Sequence, residues 1–67
     1  MPQGTVKWFN PRKGYGFIKV DDSTEDVFVH HSDVQGIRNE LYQDQRVEFE
    51  IVNDQKGSKA KNVRVIE

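Results

Sequence analysis

The 67-residue sequence predicts an all-β fold, a small barrel of five antiparallel strands. Three observations predict it. Short β-rich runs alternate with turn signals built from Gly, Pro, Asn and Asp. Within the runs, aliphatic residues recur at the two-residue period of a strand. Helical periodicity is weak everywhere, the one candidate being a short turn near residues 32–42.

Each strand has its own signal. Residues 4–10 (GTVKWFN) form the first and end at Asn10-Pro11, a turn opener. Residues 14–20 form the second, followed by the polar loop 21–25. Residues 26–30 form the third. Residues 31–45 are irregular and polar, with Gly36 marking a turn. The fourth strand, 47–52, sets Val47, Phe49 and Ile51 on one side and Glu48 and Glu50 on the other. The turn 53–58 (NDQKGS) leads to a fifth strand at 61–66. Five short strands laid flat would leave open edges, and curling into a barrel removes them. Gly14 and Gly16 suit the bends and close backbone approaches of such a barrel. The expected architecture is an antiparallel five-stranded barrel of OB type, one domain over residues 1–67.

A domain of this size buries only about 60% of the surface of its unfolded chain. Every large apolar side chain left outside therefore needs a reason. The sequence has no cysteine, which excludes disulfides and Cys-based zinc sites and fits a reducing compartment. No apolar run approaches the roughly 20 residues of a membrane span, and the N-terminal residues lack an apolar signal-like stretch. The expectation is a cytoplasmic protein with no membrane partner.

The net charge of −1 argues on its face against binding phosphates. The distribution argues otherwise. Residues 1–20 carry Lys7, Arg12, Lys13 and Lys19 and no acid. Acids crowd residues 21–50, where only Arg38 and Arg46 oppose them, and Lys56, Lys59, Lys61 and Arg64 return near the end. With a Debye length of about 8 Å at physiological salt, local charge matters more than the total. The two ends of the chain are thus expected to form a basic face.

Alternation decides which face the rings take. In the second strand Ile18 and Val20 share one side; Tyr15, Phe17 and Lys19 share the other. In the third, Val27 and Val29 oppose Asp26, Phe28 and His30. The aliphatic sets are the core, because the ring-bearing face also holds ionisable groups that would be costly to bury. In the first strand, strict parity puts Trp8 with Val6 in the core and exposes Lys7 and Phe9; a bulge would turn Trp8 outward instead. Exposed rings flanked by Lys7, Lys13 and Lys19 suit unpaired bases, which stack on aromatic faces for about 1–3 kcal/mol each. The lysines would track phosphates and make binding salt-sensitive. The bland alternative is a protein-docking patch. His30 and His31 make no metal site, since neighbours on a strand point apart and no third ligand stands at metal spacing. No phosphate-loop motif and no nucleophile–base pair occur, so neither an enzyme nor a cofactor is expected.

Three motifs in order, VKWFN, KGYGFI and VFVHH, resemble the cold-shock domain of the bacterial cold-shock proteins, with KGYGFI and VFVH similar to its two ribonucleoprotein motifs. The resemblance covers essentially the whole chain, including EFEIV and the KG-x-x-A-x-NV pattern near the end. It implies a five-stranded barrel that binds single-stranded RNA and DNA, preferring pyrimidine-rich stretches. It implies contacts from Lys7, Trp8, Phe9 and Asn10, from Lys13, Tyr15 and Phe17, and from Phe28 and His30, with Trp8 and Phe9 turned outward. It places Asp26 at a base edge and Lys56 and Lys59 at the rim. The chain also departs from the pattern. His31 stands where bacterial members usually carry an aromatic, residues 36–41 (GIRNEL) lack an exposed Phe, the loop DDSTE looks a residue longer, and Gly57-Ser58 replaces Gly-Pro. His31 and Tyr42 are candidates to fill the gap.

The expected function is that of a monomeric single-strand binder acting as an ATP-independent RNA chaperone, with effects on transcription or translation. The rivals are an OB-type protein-docking module and a ribosome-associated module, each using the same aromatic face.

Overall fold

The computed structural model describes residues 1–36 and 40–66. Its strands are β1 (Gln3–Asn10), β2 (Tyr15–Val20), β3 (Asp26–His30), β4 (Arg46–Asp54) and β5 (Gly57–Val65), with a 3-10 turn at His31–Asp33. They close into a barrel in the order β1-β2-β3-β5-β4. β1–β2, β2–β3, β1–β4 and β4–β5 are antiparallel. The closing pair, β3–β5, is parallel, with Phe28 opposite Lys59 and a further parallel bridge from Val34 to Val63. A parallel pair needs a long crossover. The chain after β3 supplies it, running through the irregular segment and then β4, and residues 37–39 of the expected loop lie outside the described residues.

The core is the aliphatic set that alternation picks out. Val6, Ile18, Val27, Val29, Val47, Phe49, Ala60 and Val63 are buried in the barrel, with Val34 and Leu41 from the crossover added. Each Val, Ile, Leu or Phe of this set contributes on the order of 1.5–3 kcal/mol by leaving water. Val20 packs against this set while half-buried.

Two irregularities bend the alternation. On β1 the register runs from Val6 opposite Ile18 to Trp8 opposite Phe17, so Lys7 is an extra residue and a bulge. Val6 stays inside, Lys7 and Trp8 both face out, and Phe9, opposite Gly16, turns back toward the core. The outward placement of Phe9 that the resemblance implies is therefore corrected: its ring is half-buried and packed on the core. The second irregularity is on β5, where Glu48 faces Arg64 but Glu50 faces Lys61. The additional residue is accommodated with Asn62 at φ 54°. Ile51 keeps its side, opposite buried Ala60, yet is 40% exposed. The β1 ladder on that flank ends at Glu48, so β4 has run past its neighbour.

The β4–β5 turn is tighter than the six-residue stretch expected. Asp54 pairs with Gly57, leaving only Gln55 and Lys56 in the loop. The Asp54 side chain accepts the Lys56 N–H at 2.8 Å, and Gly57 takes φ +124°, which favours glycine. β5 consequently begins four residues before the expected position.

Ion pairs use up part of the charge. Arg46 grips both carboxylate oxygens of Asp21 (2.7 and 2.6 Å) and donates to Thr5 (3.1 Å), tying the β2–β3 loop across β1 to β4. Arg64 bonds Glu48 at 2.7 Å. Their guanidinium hydrogen bonds hold the Asp21 and Glu48 carboxyls below the usual carboxylate range. A depressed folded pKa adds stability that is present above the unfolded value and is lost as pH falls through the folded one. Asp21→Asn should narrow the drop in urea midpoint between about pH 7 and about pH 3; an unchanged drop would show that the clasp contributes nothing to acid stability. Gly16 is a second test. A Cβ there would strike the Trp8 carbonyl and lie 2.7 Å from Phe9 Cα. Gly16→Ala is expected to lower unfolding free energy by about 1–3 kcal/mol, as overpacking does; a neutral substitution would contradict the close β1–β2 approach at the bulge.

Candidate nucleic-acid interface

The outer face of β1, β2 and β3 carries four rings in mutual contact. Trp8 meets Tyr15 edge-on at 5.7 Å between centroids and leans on Phe17 at 5.5 Å. Tyr15 stacks toward Phe28 at 5.8 Å, and Phe28 meets Phe17 edge-on at 5.9 Å. The four contacts close a circuit. Cross-strand pairing generates it, since Trp8 faces Phe17 and Phe17 faces Phe28 in register. Tyr15, Phe17 and Phe28 are half-buried because they cover one another's edges, and Trp8 is 40% exposed. Edge-to-face packing fixes the rings while leaving π-faces open for a further ring.

Cations border this platform unequally. Lys7, thrown outward by the bulge, reaches over β2 to Asp26 at 2.9 Å. The expected base-edge carboxylate thus already has a partner. Lys19 donates to the Ser23 carbonyl at 3.2 Å. Among the described residues, no carboxylate pairs with Lys13, Lys56 or Lys59. Lys56 and Lys59 line a cleft of about 440 Å³ whose apolar wall is Phe17 and Phe28 and which Asp26 and Ser58 also border. The rim lysines and the rings therefore belong to one concavity, joined by the parallel pairing of Phe28 with Lys59.

Asn10 shapes the turn that follows it. Its Oδ1 accepts the Arg12 and Lys13 N–H groups at 3.0 and 3.1 Å, and its carbonyl accepts from Gly14 at 2.7 Å. The amide oxygen thus organises the β1–β2 turn that presents Lys13. Arg12, absent from the expected contacts, is exposed on the same turn; its signal was the acid-free charge run of residues 1–20.

The two histidines overturn the expectation that neighbours on a strand point apart. β3 ends at His30 and His31 opens the 3-10 turn, so the rings lie 4.3 Å apart on one side. His30, opposite Tyr15, accepts the Ser32 N–H at Nδ1 (3.3 Å), with Ser32 Oγ 2.8 Å away. His31 is exposed and packs against Gly14. Tyr42 sits elsewhere, in a turn on the far flank of β1, 55% exposed, with its hydroxyl donating to Glu40 at 3.3 Å. Asp44 in that turn bonds the Val6 carbonyl. Tyr42 makes no ring contact with the platform among the described residues and leaves the His31 position unfilled. No group of three metal-ligating side chains comes together among the described residues.

Comparison with known proteins follows this geometry. The 'Cold-shock' DNA-binding domain family matches residues 2–66. The probable cold shock protein A of Mycolicibacterium smegmatis is 52% identical over 67 residues, covering 98% of this chain and all of the relative. The cold shock-like protein of Aquifex aeolicus is 54% identical over 66 residues (96% of this chain, 93% of the relative). The cold shock-like protein CspE of Escherichia coli K12 is 54% identical over 63 residues (91% and 90%). Among solved structures, drosophila Unr CSD456 superposes with a TM-score of 0.82 at 21% identity, covering 98% of this chain and 26% of that longer one, and shares the fold. The motif order, the closed barrel and these matches agree, and the chain belongs to the nucleic-acid-binding cold-shock domain family.

Proposed function

We propose that this chain binds single-stranded RNA and DNA across the Trp8–Tyr15–Phe17–Phe28 platform and acts as an ATP-independent RNA chaperone. The observation that carries this reading is the closed circuit of four outward rings bordered by Lys13, Lys56 and Lys59, which pair with no carboxylate among the described residues. Ring faces of this kind accept bases only when the bases are out of a duplex, so the ligand is an open strand. Lys13 at one end and Lys56 and Lys59 at the other supply phosphate contacts, and Lys7 and Asp26 offer a donor and an acceptor to a base edge once their mutual bond opens. His30 extends the ring surface beside Tyr15.

The chaperone step is mass action. A protein that binds only the open strand shifts a hairpin equilibrium toward opening. Base-pair steps average about 1.4 kcal/mol, so engaging several bases rivals a weak stem. Effects on transcription or translation would follow from the same shift. The preference for pyrimidine-rich strands rests on the family resemblance; a monomeric state and a cytoplasmic setting complete the reading. Cations at both borders of the platform favour nucleic acid over a docked protein.

Phe17→Ala and Phe28→Ala test the reading. Each should weaken binding of a single-stranded oligonucleotide about 5- to 150-fold, the equivalent of about 1–3 kcal/mol, with a smaller effect on the urea midpoint. Equal damage to folding and binding would return these rings to a structural role. Binding by the unaltered protein should also fall steeply with salt, by about 0.7 in log K per tenfold salt for each phosphate contacted; a flat response would remove the lysines from the account.

A further inference from the structure

We infer that Arg12, Lys13 and His31 form a phosphate clip around the turn at residues 10–14, at the Tyr15–His30 end of the platform. This rests on the single-strand reading above and adds to it a site with its own ligand chemistry: one phosphate oxygen cluster, from the strand's internal diesters or from a terminal monoester.

Four observations build the clip. The turn is prearranged, since Asn10 holds the main chain of Arg12, Lys13 and Gly14 through three hydrogen bonds. Its two side chains are exposed and, among the described residues, have no carboxylate partner, whereas Lys7, Arg46 and Arg64 are all paired. The His31 N–H donates to the Gly14 carbonyl at 2.8 Å, which locks the start of the 3-10 turn to this loop. Finally, the His31 ring lies over Gly14, where any Cβ would strike it, so glycine is what lets the imidazole pack onto the turn that carries Arg12 and Lys13. Gly14 also takes φ +80°, which favours glycine independently.

A phosphate at this place receives a planar guanidinium fork, an ammonium and an imidazole N–H. The charged groups of the packed elements are Lys7 on β1, Arg12 and Lys13 on the turn, Lys19 on β2, Asp26 on β3 and Asp33 on the 3-10 turn. His31 contributes a hydrogen bond where an aromatic would contribute only a ring face.

Arg12→Ala, His31→Phe and Phe17→Ala, titrated with a short oligothymidylate with and without a terminal phosphate, test the clip. Arg12→Ala should lower the salt slope of log K by about 0.7, the share of one phosphate contact, while Phe17→Ala keeps the slope and loses affinity. His31→Phe should weaken binding about 2- to 12-fold, the share of one hydrogen bond; unchanged or tighter binding removes the imidazole from the clip. A terminal phosphate that strengthens binding only when Arg12 is present assigns the clip to a monoester; an equal slope change on both oligonucleotides assigns it to a diester. An Arg12→Ala slope equal to that of the unaltered protein overturns the clip, even where Phe17→Ala still weakens binding. Loss of the Phe17→Ala effect overturns the platform reading itself.

Discussion

Filling of the barrel interior by aliphatic side chains is the constraint from which the other features descend. Val6, Ile18, Val27, Val29, Val47 and Val63, with Phe49 and Ala60, occupy the inside of a wall only five strands around. Interiors pack at crystal-like density, so with Phe49 seated there no space remains for the rings of β2 and β3. Because strand faces alternate, an aliphatic core on β2 and β3 obliges Tyr15, Phe17 and Phe28 to stand outside. The exposed rings are thus a consequence of how the core is filled, and a thin stability margin is the cost of keeping them there.

The bulge at Lys7 completes the arrangement. One additional residue on β1 sends Lys7 and Trp8 outward in succession and returns Phe9 to the core. A regular strand would have put Trp8 inside, broken the ring circuit there and directed Lys7 and Phe9 to the surface. Gly16 is the complement on β2, a position where the Trp8 carbonyl and Phe9 Cα come too close for any side chain. Fold and site are coupled at this point, since one backbone irregularity sets both the core packing of Phe9 and the exposure of Trp8.

How much of this is legible in the sequence depends on which interaction fixes each feature. Five strands, the aliphatic core and the outward Tyr15, Phe17 and Phe28 follow from local alternation, which is a property of neighbours in the chain. Parity leaves Trp8 open because a bulge depends on the partner strand, and the resemblance, which turns both Trp8 and Phe9 outward, is right for only one of them. The His30–His31 pair reverses its expectation because the strand ends between them, a boundary set by the Ser32 bond to His30 and the His31 bond to Gly14. Charge pairing is the least legible. The resemblance gives Lys7 and Asp26 as separate contacts, whereas the barrel brings them to 2.9 Å, and nothing local in the sequence shows that the Asn10 amide oxygen shapes the turn after it.

Trp8 is the natural reporter for the platform, being the only tryptophan and 40% exposed at its edge. The most direct measurement is its fluorescence during titration with a single-stranded pyrimidine-rich oligonucleotide and, separately, with the same sequence as a duplex. Saturable quenching by the single strand and none by the duplex is expected, because stacking requires an unpaired base. Equal quenching by both, or none by either, would contradict stacking on the platform.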